Sequence, residues 1–294
     1  MSSAELFDRR FALTVGTLDV SDFHCRFRVE KTLKPEPNKA LIEIWNLSPD
    51  HRALLGELAP GKKIKLGKKK GGTAPSLLGK VPCRLEVGYA GPGTDLLFLG
   101  DLRTVDTEID GPDWVTSISS GDGERAFRTA RINQSFGAKV PTQTALRALV
   151  KALGVGEGNL SKVVSQLKLQ GQASLLTRGI VLSGPVSRLM TDYCRAADLE
   201  WSIQDGALQF VDLNKALSET AIKLTPDTGL VGSPSVDAAG VMQCKCLLIP
   251  GLRCGRIVVL DAAEIKGQFR IESFVAEGDT HGDDWTAEIK AKRY

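Results

Sequence analysis

Apolar and polar residues alternate along much of the first third of the chain. The alternation is strict from Phe23 to Val29, and it recurs in residues 11–15 and 40–44. Successive side chains of a strand point to opposite faces, so this pattern predicts half-buried antiparallel strands. Further strand signals lie at residues 84–89, 96–99, 103–109 and 114–119. The first third of the chain is therefore predicted to form a sheet or a barrel.

The period of the apolar residues becomes helical in the middle of the chain. Apolar residues recur at helical spacing between 145 and 153, and Gly154 follows them as a stop signal. A second helix is predicted from about residue 185 to residue 197. The dipeptide Asp205-Gly206 then predicts a tight hairpin between two short strands. This middle region is predicted to be α+β.

Short strands with glycine-rich turns return after Thr225. Their signals lie at residues 242–248, 255–260, 267–275 and 285–291. The sequence thus predicts a mainly β fold with an α+β middle region. We place the boundaries of the three segments at 1–130, 131–218 and 219–294.

The composition is that of an ordinary globular protein. Hydrophobic residues make up 42% of the 294 residues and charged residues 25%, both near the globular average. The net charge of +3, from 38 basic and 35 acidic residues, does not indicate a nucleic-acid-binding domain. The first residues lack the basic and apolar regions of a signal peptide, and no stretch approaches the ~18 to 20 apolar residues of a membrane span. We therefore expect no secretion and no membrane insertion.

A lysine-rich segment follows a short helix that is predicted to begin at Ser48-Pro49. Residues 62–79 hold six lysines and several glycines, which predicts a long loop between strands. Lys68, Lys69 and Lys70 are candidates for contact with DNA or with an acidic partner, and such contact would depend on salt. The alternative is a solvated loop, which is what a charge run usually forms.

Three of the six cysteines lie close together in the sequence. Cys244, Cys246 and Cys254 suggest a zinc site, but the spacing lacks the usual CxxC knuckle and no fourth ligand is evident. Cys244 and Cys246 also belong to an alternation that is typical of a buried strand face. We therefore interpret these thiols as core residues, and we predict no metal and no cofactor.

A second candidate for chemistry is the segment from Glu277 to Asp284. It gathers carboxylates and a histidine, which is compatible with a hard-cation site or with an acid and base pair. Asp and Gly at these offsets are also what a tight connection between two strands needs. The chain has three histidines and neither a nucleophile elbow nor an HExxH motif. We favour a turn and predict no catalytic residues.

Several segments occur in an order that is typical of one family. They begin at Phe11, continue through the strand and turn that hold Asn46 and Leu47, and include a strand with Gly100. The C-terminal segments are more specific, and they hold Gly267, Gly278, Asp279, Thr280 and Trp285. On these residues the sequence resembles the baseplate hub proteins of tailed phages. That group is related to late-control D proteins and to the hub part of type VI secretion spike proteins.

The resemblance implies a structural protein of the virion and no enzyme. It implies a homotrimer in which each subunit contributes two tube-like antiparallel β-barrel units that flank the small α+β domain. The resulting pseudo-sixfold ring would join the hexameric tail tube to the central spike and line the DNA channel of a contractile tail. Its implied partners are the tail tube protein, the central spike protein, the C-terminus of the tape-measure protein and the baseplate wedge proteins. Assembly is expected in the cytoplasm of the host bacterium.

The sequence is also compatible with two other functions. The first is a tail-associated cell-wall hydrolase that uses Glu277, Asp279, Asp283 or Asp284 as acid and base. The second is a DNA-contacting tail protein that acts through Lys68, Lys69 and Lys70. Neither is accompanied by a recognisable enzymatic or nucleotide-binding motif.

Overall fold

A computed structural model describes residues 6–59, 81–169, 178–213 and 215–294. The described residues up to Thr129 form seven strands and two helices. The strands are β1 (Arg9–Val15), β2 (Leu18–Asp19), β3 (Cys25–Thr32), β4 (Asn38–Trp45), β5 (Pro82–Tyr89), β6 (Gly93–Asp110) and β7 (Asp113–Asp122). The helices are α1 (Pro49–Leu58) and α2 (Glu124–Thr129). The lysine-rich segment, residues 62–79, lies entirely outside the described residues.

The middle of the chain combines three helices with short strands. The helices are α3 (Thr142–Leu153), α4 (Leu160–Leu169) and α5 (Val186–Ala196). The strands are β8 (Arg131–Phe136), β9 (Ile180–Pro185), β10 (Leu199–Gln204) and β11 (Ala207–Asp212). They form two two-stranded sheets, β8 with β9 and β10 with β11. The predicted α+β character of this region is confirmed.

The C-terminal region is again β. Its strands are β12 (Ile222–Leu224), β13 (Leu230–Val236), β14 (Val241–Leu247), β15 (Ile257–Asp261), β16 (Lys266–Asp279) and β17 (Trp285–Arg293). The chain as described is therefore mainly β, with few helices. No helix in the described ranges is both long enough and apolar enough to cross a membrane.

Strands from both ends of the chain belong to one 13-stranded sheet. Its order is β13-β14-β17-β16-β3-β4-β7-β6-β5-β1-β2, and β15, with β12 beside it, also pairs with β16. The two ends meet where β3 pairs antiparallel with β16, from Thr32 opposite Ser273 to Arg26 opposite Asp279. The pairing of β12 with β15 is parallel.

The sheet curls around one hydrophobic core. Buried residues of N-terminal strands, such as Phe27 and Phe98, form one cluster with C-terminal residues such as Phe274 and Trp285. Across the curl, the Arg9 guanidinium of β1 donates hydrogen bonds to the carbonyl oxygens of Gly282 at 2.7 Å and Asp283 at 3.0 Å. A second cluster holds the apolar faces of α3 and α5 with β10 and β11.

The prediction of two separate barrel units is not confirmed. The sheet is open, and no closed barrel forms among the described strands. In a separate N-terminal barrel, the edge of β3 would pair with another N-terminal strand. In the structure this edge pairs with β16 instead, so strands from the two ends of the chain share one hydrophobic core. The segment boundaries at residues 130 and 218 stay predictions.

Local signals account for several elements. Ser48 is the N-cap of α1, where its hydroxyl accepts a hydrogen bond from the His51 amide at 3.2 Å, and Pro49 occupies the first turn. Gly154 ends α3 with φ of 67°. Other elements were not predicted, namely α2, α4, β2, β8, β9, β12 and β13. Residues 96–99 and 103–109, predicted as two strands, are parts of the single long strand β6.

Candidate functional site

All but one of the C-terminal family-signature residues lie in one tight connection, which we call the signature turn (residues 278–285). Asp279 organises it, because its Oδ1 accepts hydrogen bonds from the amides of His281 at 2.9 Å and Gly282 at 2.8 Å. The same oxygen lies 2.9 Å from Nε2 of His24. Burial raises the pKa of Asp279, but the two amides and His24 outweigh that effect and hold the pKa below its usual value. Asp279 is therefore an ionised acceptor that shapes the turn.

The signature turn is fastened to the start of β3. The Cys25 amide donates to Oγ1 of Thr280 at 3.0 Å, and the Thr280 amide donates to the Cys25 carbonyl at 3.0 Å. The ring of His24 stacks on Trp45 of β4, with 4.2 Å between ring centroids. The turn thus joins the C-terminal strands to the N-terminal ones at one end of the sheet.

Gly278 and Trp285 complete the junction by packing. Gly278 lies opposite Phe27 on β3 and opposite Trp285 on β17, and a Cβ atom at this glycine would overlap the Phe27 ring. Trp285 is 1% exposed, and its ring meets Phe27 edge-on at 5.5 Å. The glycine is needed here because the phenylalanine ring occupies the space of a side chain.

The carboxylates of this segment do not have the environment of an acid and base pair. A general acid at neutral pH needs a raised pKa, whereas that of Asp279 is lowered. Glu277 forms an ion pair with Arg28, and Asp283 and Asp284 are exposed. The arrangement favours the turn interpretation over the hydrolase hypothesis.

The other signature residues also have structural roles. Asn46 has φ of 56°, and its side chain accepts from the Trp114 amide at 3.0 Å and donates to Asp113 Oδ1 at 2.8 Å. Leu47 is buried in the core. Gly100 lies where a Cβ atom would overlap the Phe98 ring. Gly267 lies at the start of β16, away from the signature turn.

The cysteine and lysine candidates of the sequence have different outcomes. Cys244 and Cys246 are buried in β14, and Cys254 is buried in the connection between β14 and β15. Burial raises the pKa of Cys244 to about 11. Within the described part of the chain, no group of three or more His, Cys, Asp or Glu side chains is placed to hold a metal ion. Lys68, Lys69 and Lys70 lie outside the described residues.

The structure also contains a buried ion pair that the sequence did not indicate. Lys31 of β3 has a side chain that is 2% exposed, and its Nζ contacts both carboxylate oxygens of Asp205, at 2.7 and 2.8 Å. Nζ also donates to the Leu97 carbonyl at 3.1 Å. Asp205 lies at the tip of the β10–β11 hairpin, so this pair fastens the α+β region to the sheet. The Asp205-Gly206 signal predicted the turn but not its partner.

A third charged group, Asp122, lies beside this pair. Its Oδ1 accepts from the Gly206 amide at 2.9 Å, while its buried Oδ2 has no hydrogen-bond partner among the described residues. Burial, and then the charge of Asp205, raise the pKa of Asp122 to about 6. The carboxyl group is thus costly to ionise in the folded state.

Asp122 should make stability depend on pH. A carboxyl group whose folded pKa is raised from 3.8 to about 6 contributes stability that is fully present below about pH 4 and is lost as the pH rises through 6. That shift corresponds to about 3 kcal/mol. An asparagine side chain at this position would keep the Oδ1 acceptor without the charge. The free energy of unfolding of Asp122→Asn relative to wild type should therefore rise by about this amount between pH 4 and pH 8.

Urea unfolding at several pH values measures this difference. The matched control is Asp227→Asn, which changes an exposed carboxylate. An Asp122→Asn effect that is the same at pH 4 and pH 8 would contradict the prediction.

The sequence matches the model of one protein family. Residues 11–266 match the family described as baseplate hub gp41. A search of curated protein sequences found no match.

Solved structures of phage tail proteins have a similar fold. The 43 kDa tail protein of prophage MuSo2 from Shewanella oneidensis has a TM-score of 0.61 at 11% identity, over 97% of this chain and 98% of that one. A tail protein from Neisseria meningitidis MC58 has a TM-score of 0.64 at 8% identity, over 98% and 97% of the two chains.

A component of a secretion system also has a similar fold. The c3393 protein of E. coli, a type VI secretion component with structural similarity to the T4 tail proteins gp27 and gp5, has a TM-score of 0.57 at 9% identity. The alignment covers 96% of this chain and 76% of that one. At these identities the likeness concerns the fold.

Proposed function

Because this chain belongs to the baseplate hub gp41 family, we propose that it forms the trimeric ring that joins the hexameric tail tube of a phage to its central spike. Membership of this family makes the chain a structural protein of the phage tail. The observation that carries the proposal is that the family match spans residues 11–266, which include most of the sheet and the whole α+β region.

In the proposed ring each subunit contributes two tube-like β units, one from β1–β7 and one from β12–β17. Three subunits then present six similar units, which suits a hexameric tube above and a threefold spike below. The ring lines the channel through which DNA leaves, and before ejection it holds the C-terminus of the tape-measure protein. The wedge proteins of a contractile baseplate surround it.

The open sheet supports this arrangement. Its order ends at β13 on one side and at the two-residue strand β2 on the other, so each subunit has edges that a neighbour can cover. Val231 and Val236 of β13 are exposed apolar residues on one of these edges. An interface between permanent subunits buries such residues at its centre.

The mass of the purified protein in solution tests the ring. We expect light scattering to give three times the 31.6 kDa of one chain for the protein alone, and that mass plus the mass of the spike for the complex with the spike. Val231→Lys together with Val236→Lys should reduce the trimer, because charges would enter the interface. Val181→Lys, at an exposed valine of β9, is the matched control. A monomer that persists with both spike and tube present would refute the ring.

Electron microscopy of phage particles that lack the protein gives an independent test. A hub is needed to connect the tube to the baseplate, so we expect no complete tails. Tails that assemble normally without the protein would refute the structural role itself.

A further inference from the structure

We propose that the half of β6 that extends beyond its pairing with β5 binds an extended segment of another protein in which basic and apolar residues alternate. We call this half the β6 overhang (Arg103–Asp110). The inference goes beyond the ring, because it concerns a different partner and does not depend on the number of hub subunits.

One edge of the β6 overhang has no strand partner among the described residues. Strand β6 pairs with β5 only from Gly93 to Asp101, and the Leu102 amide still donates to the Val81 carbonyl at 2.8 Å. From Thr104 to Asp110 the strand pairs with β7 on one side. On its other side, no backbone hydrogen bond from a described residue reaches it. An unpaired edge of this kind can accept an additional strand.

One face of the overhang is acidic. Asp106, Glu108 and Asp110 are exposed and occupy every second position, so their side chains share a face. None of the three forms an ion pair within the described part of the chain, and Asp113 on β7 lies opposite Asp110. A strand added at this edge would need basic residues on the same face.

The opposite face of the overhang is apolar and accessible. Ile109 and Trp114 lie opposite each other on β6 and β7, 63% and 41% exposed. The guanidinium of Arg52 on α1 lies 4.0 Å from the centre of the Trp114 ring, and Leu54 of α1 is 37% exposed. A strand added at the edge would place its own apolar residues beside Ile109.

Charge complementarity indicates that the strand added at this edge comes from another protein rather than from the β6 overhang of a second copy of this chain. Two overhangs placed side by side would bring like charges together, which destabilises strand pairing. The edge of β13 is also a poor partner, because Pro234 lacks an amide donor and the register shifts between Val231 and Ser235. The acids of the overhang instead match a lysine- or arginine-bearing strand.

Fluorescence anisotropy with a synthetic peptide tests the proposal. The probe is a labelled peptide of about eight residues in which lysine alternates with valine, matched to the length of the overhang. We expect it to bind the full-length protein at low salt. A peptide of the same composition with its lysines grouped at one end should bind about tenfold more weakly, because grouped charges cannot meet acids at every second position.

Charge reversal locates the site. Asp106→Lys, Glu108→Lys and Asp110→Lys together should weaken binding of the alternating peptide by about tenfold or more. The matched control reverses three exposed carboxylates elsewhere, Glu36→Lys, Glu157→Lys and Glu264→Lys, which gives the same net charge. In hydrogen exchange the peptide should protect amides of residues 104–110.

Three results would overturn the proposal. The first is equal loss of binding in both triple variants, which would indicate general electrostatic attraction. The second is protection of amides elsewhere in the sheet. The third is binding that appears only after deletion of residues 62–79, which would assign the edge to this chain's own lysine-rich segment. None of these results bears on the ring, which the mass measurement tests.

Discussion

Replacing Lys31 with methionine should lower the free energy of unfolding by about 3 kcal/mol. Methionine keeps most of the buried volume but removes the charge that neutralises Asp205, 2.7 Å away. The Asp205 side chain is 18% exposed, so without its partner the carboxylate has lost most of its water without a compensating charge, which costs more than the ion pair contributes. Asp205 retains one hydrogen bond, from the Leu99 amide at 3.1 Å, so the loss should lie at the lower end of the range for broken buried pairs.

A double variant separates the charge from the packing. Adding Asp205→Asn to Lys31→Met removes the unpaired carboxylate and should restore part of the stability. Lys39→Met, at an exposed lysine of the neighbouring strand, should change the free energy of unfolding by less than about 0.5 kcal/mol. If Lys31→Met had an effect as small as Lys39→Met, the ion pair would not be fastening the hairpin to the sheet.

Replacing Trp285 with alanine should lower the free energy of unfolding by about 3 to 5 kcal/mol. The side chain is fully buried, packs edge-on against Phe27, and lies 5.6 Å from the Arg9 guanidinium. Its removal leaves a cavity at the junction between β3, β16 and β17. Denaturant unfolding measures the loss, and the slope of the transition should stay unchanged if the fold is kept.

Phenylalanine at position 285 is the informative comparison. The indole Nε1 has no hydrogen-bond partner among the described residues, so Trp285→Phe gives up ring volume and no hydrogen bond. We therefore expect a loss of about 1 to 2 kcal/mol, clearly smaller than that of alanine. Equal losses for the two variants would contradict the prediction, because they would mean that the indole makes a contact that a phenylalanine ring cannot replace.

Local features of the fold could be predicted from the sequence. The alternation from Phe23 to Val29 correctly identifies the buried face of β3, and Ser48 and Gly154 mark helix ends where the structure has them. These signals depend on residues close in the chain. The signature turn was predicted as a turn for the same reason, because Asp279 makes its hydrogen bonds to the next few amides.

The arrangement of the strands could not be predicted in the same way. Alternation shows which side chains of β3 face the core, but it does not show that β16 is the neighbouring strand. The continuity of β6 was missed because Gly100 and Asp101 resemble a turn, whereas the strand accommodates an irregular register between Leu102 and Thr104. The pair of Lys31 and Asp205 is likewise a long-range contact, with no local signal in either segment.

The pairing of β3 with β16 has a consequence for synthesis. A ribosome makes the N-terminal strands first, yet β3 gains its neighbour only after β16 has been synthesised. Until then one border of β3 is bare, and contacts so distant in the chain are slow to form. A polypeptide that stops before β16 would keep this edge of β3 without its partner strand.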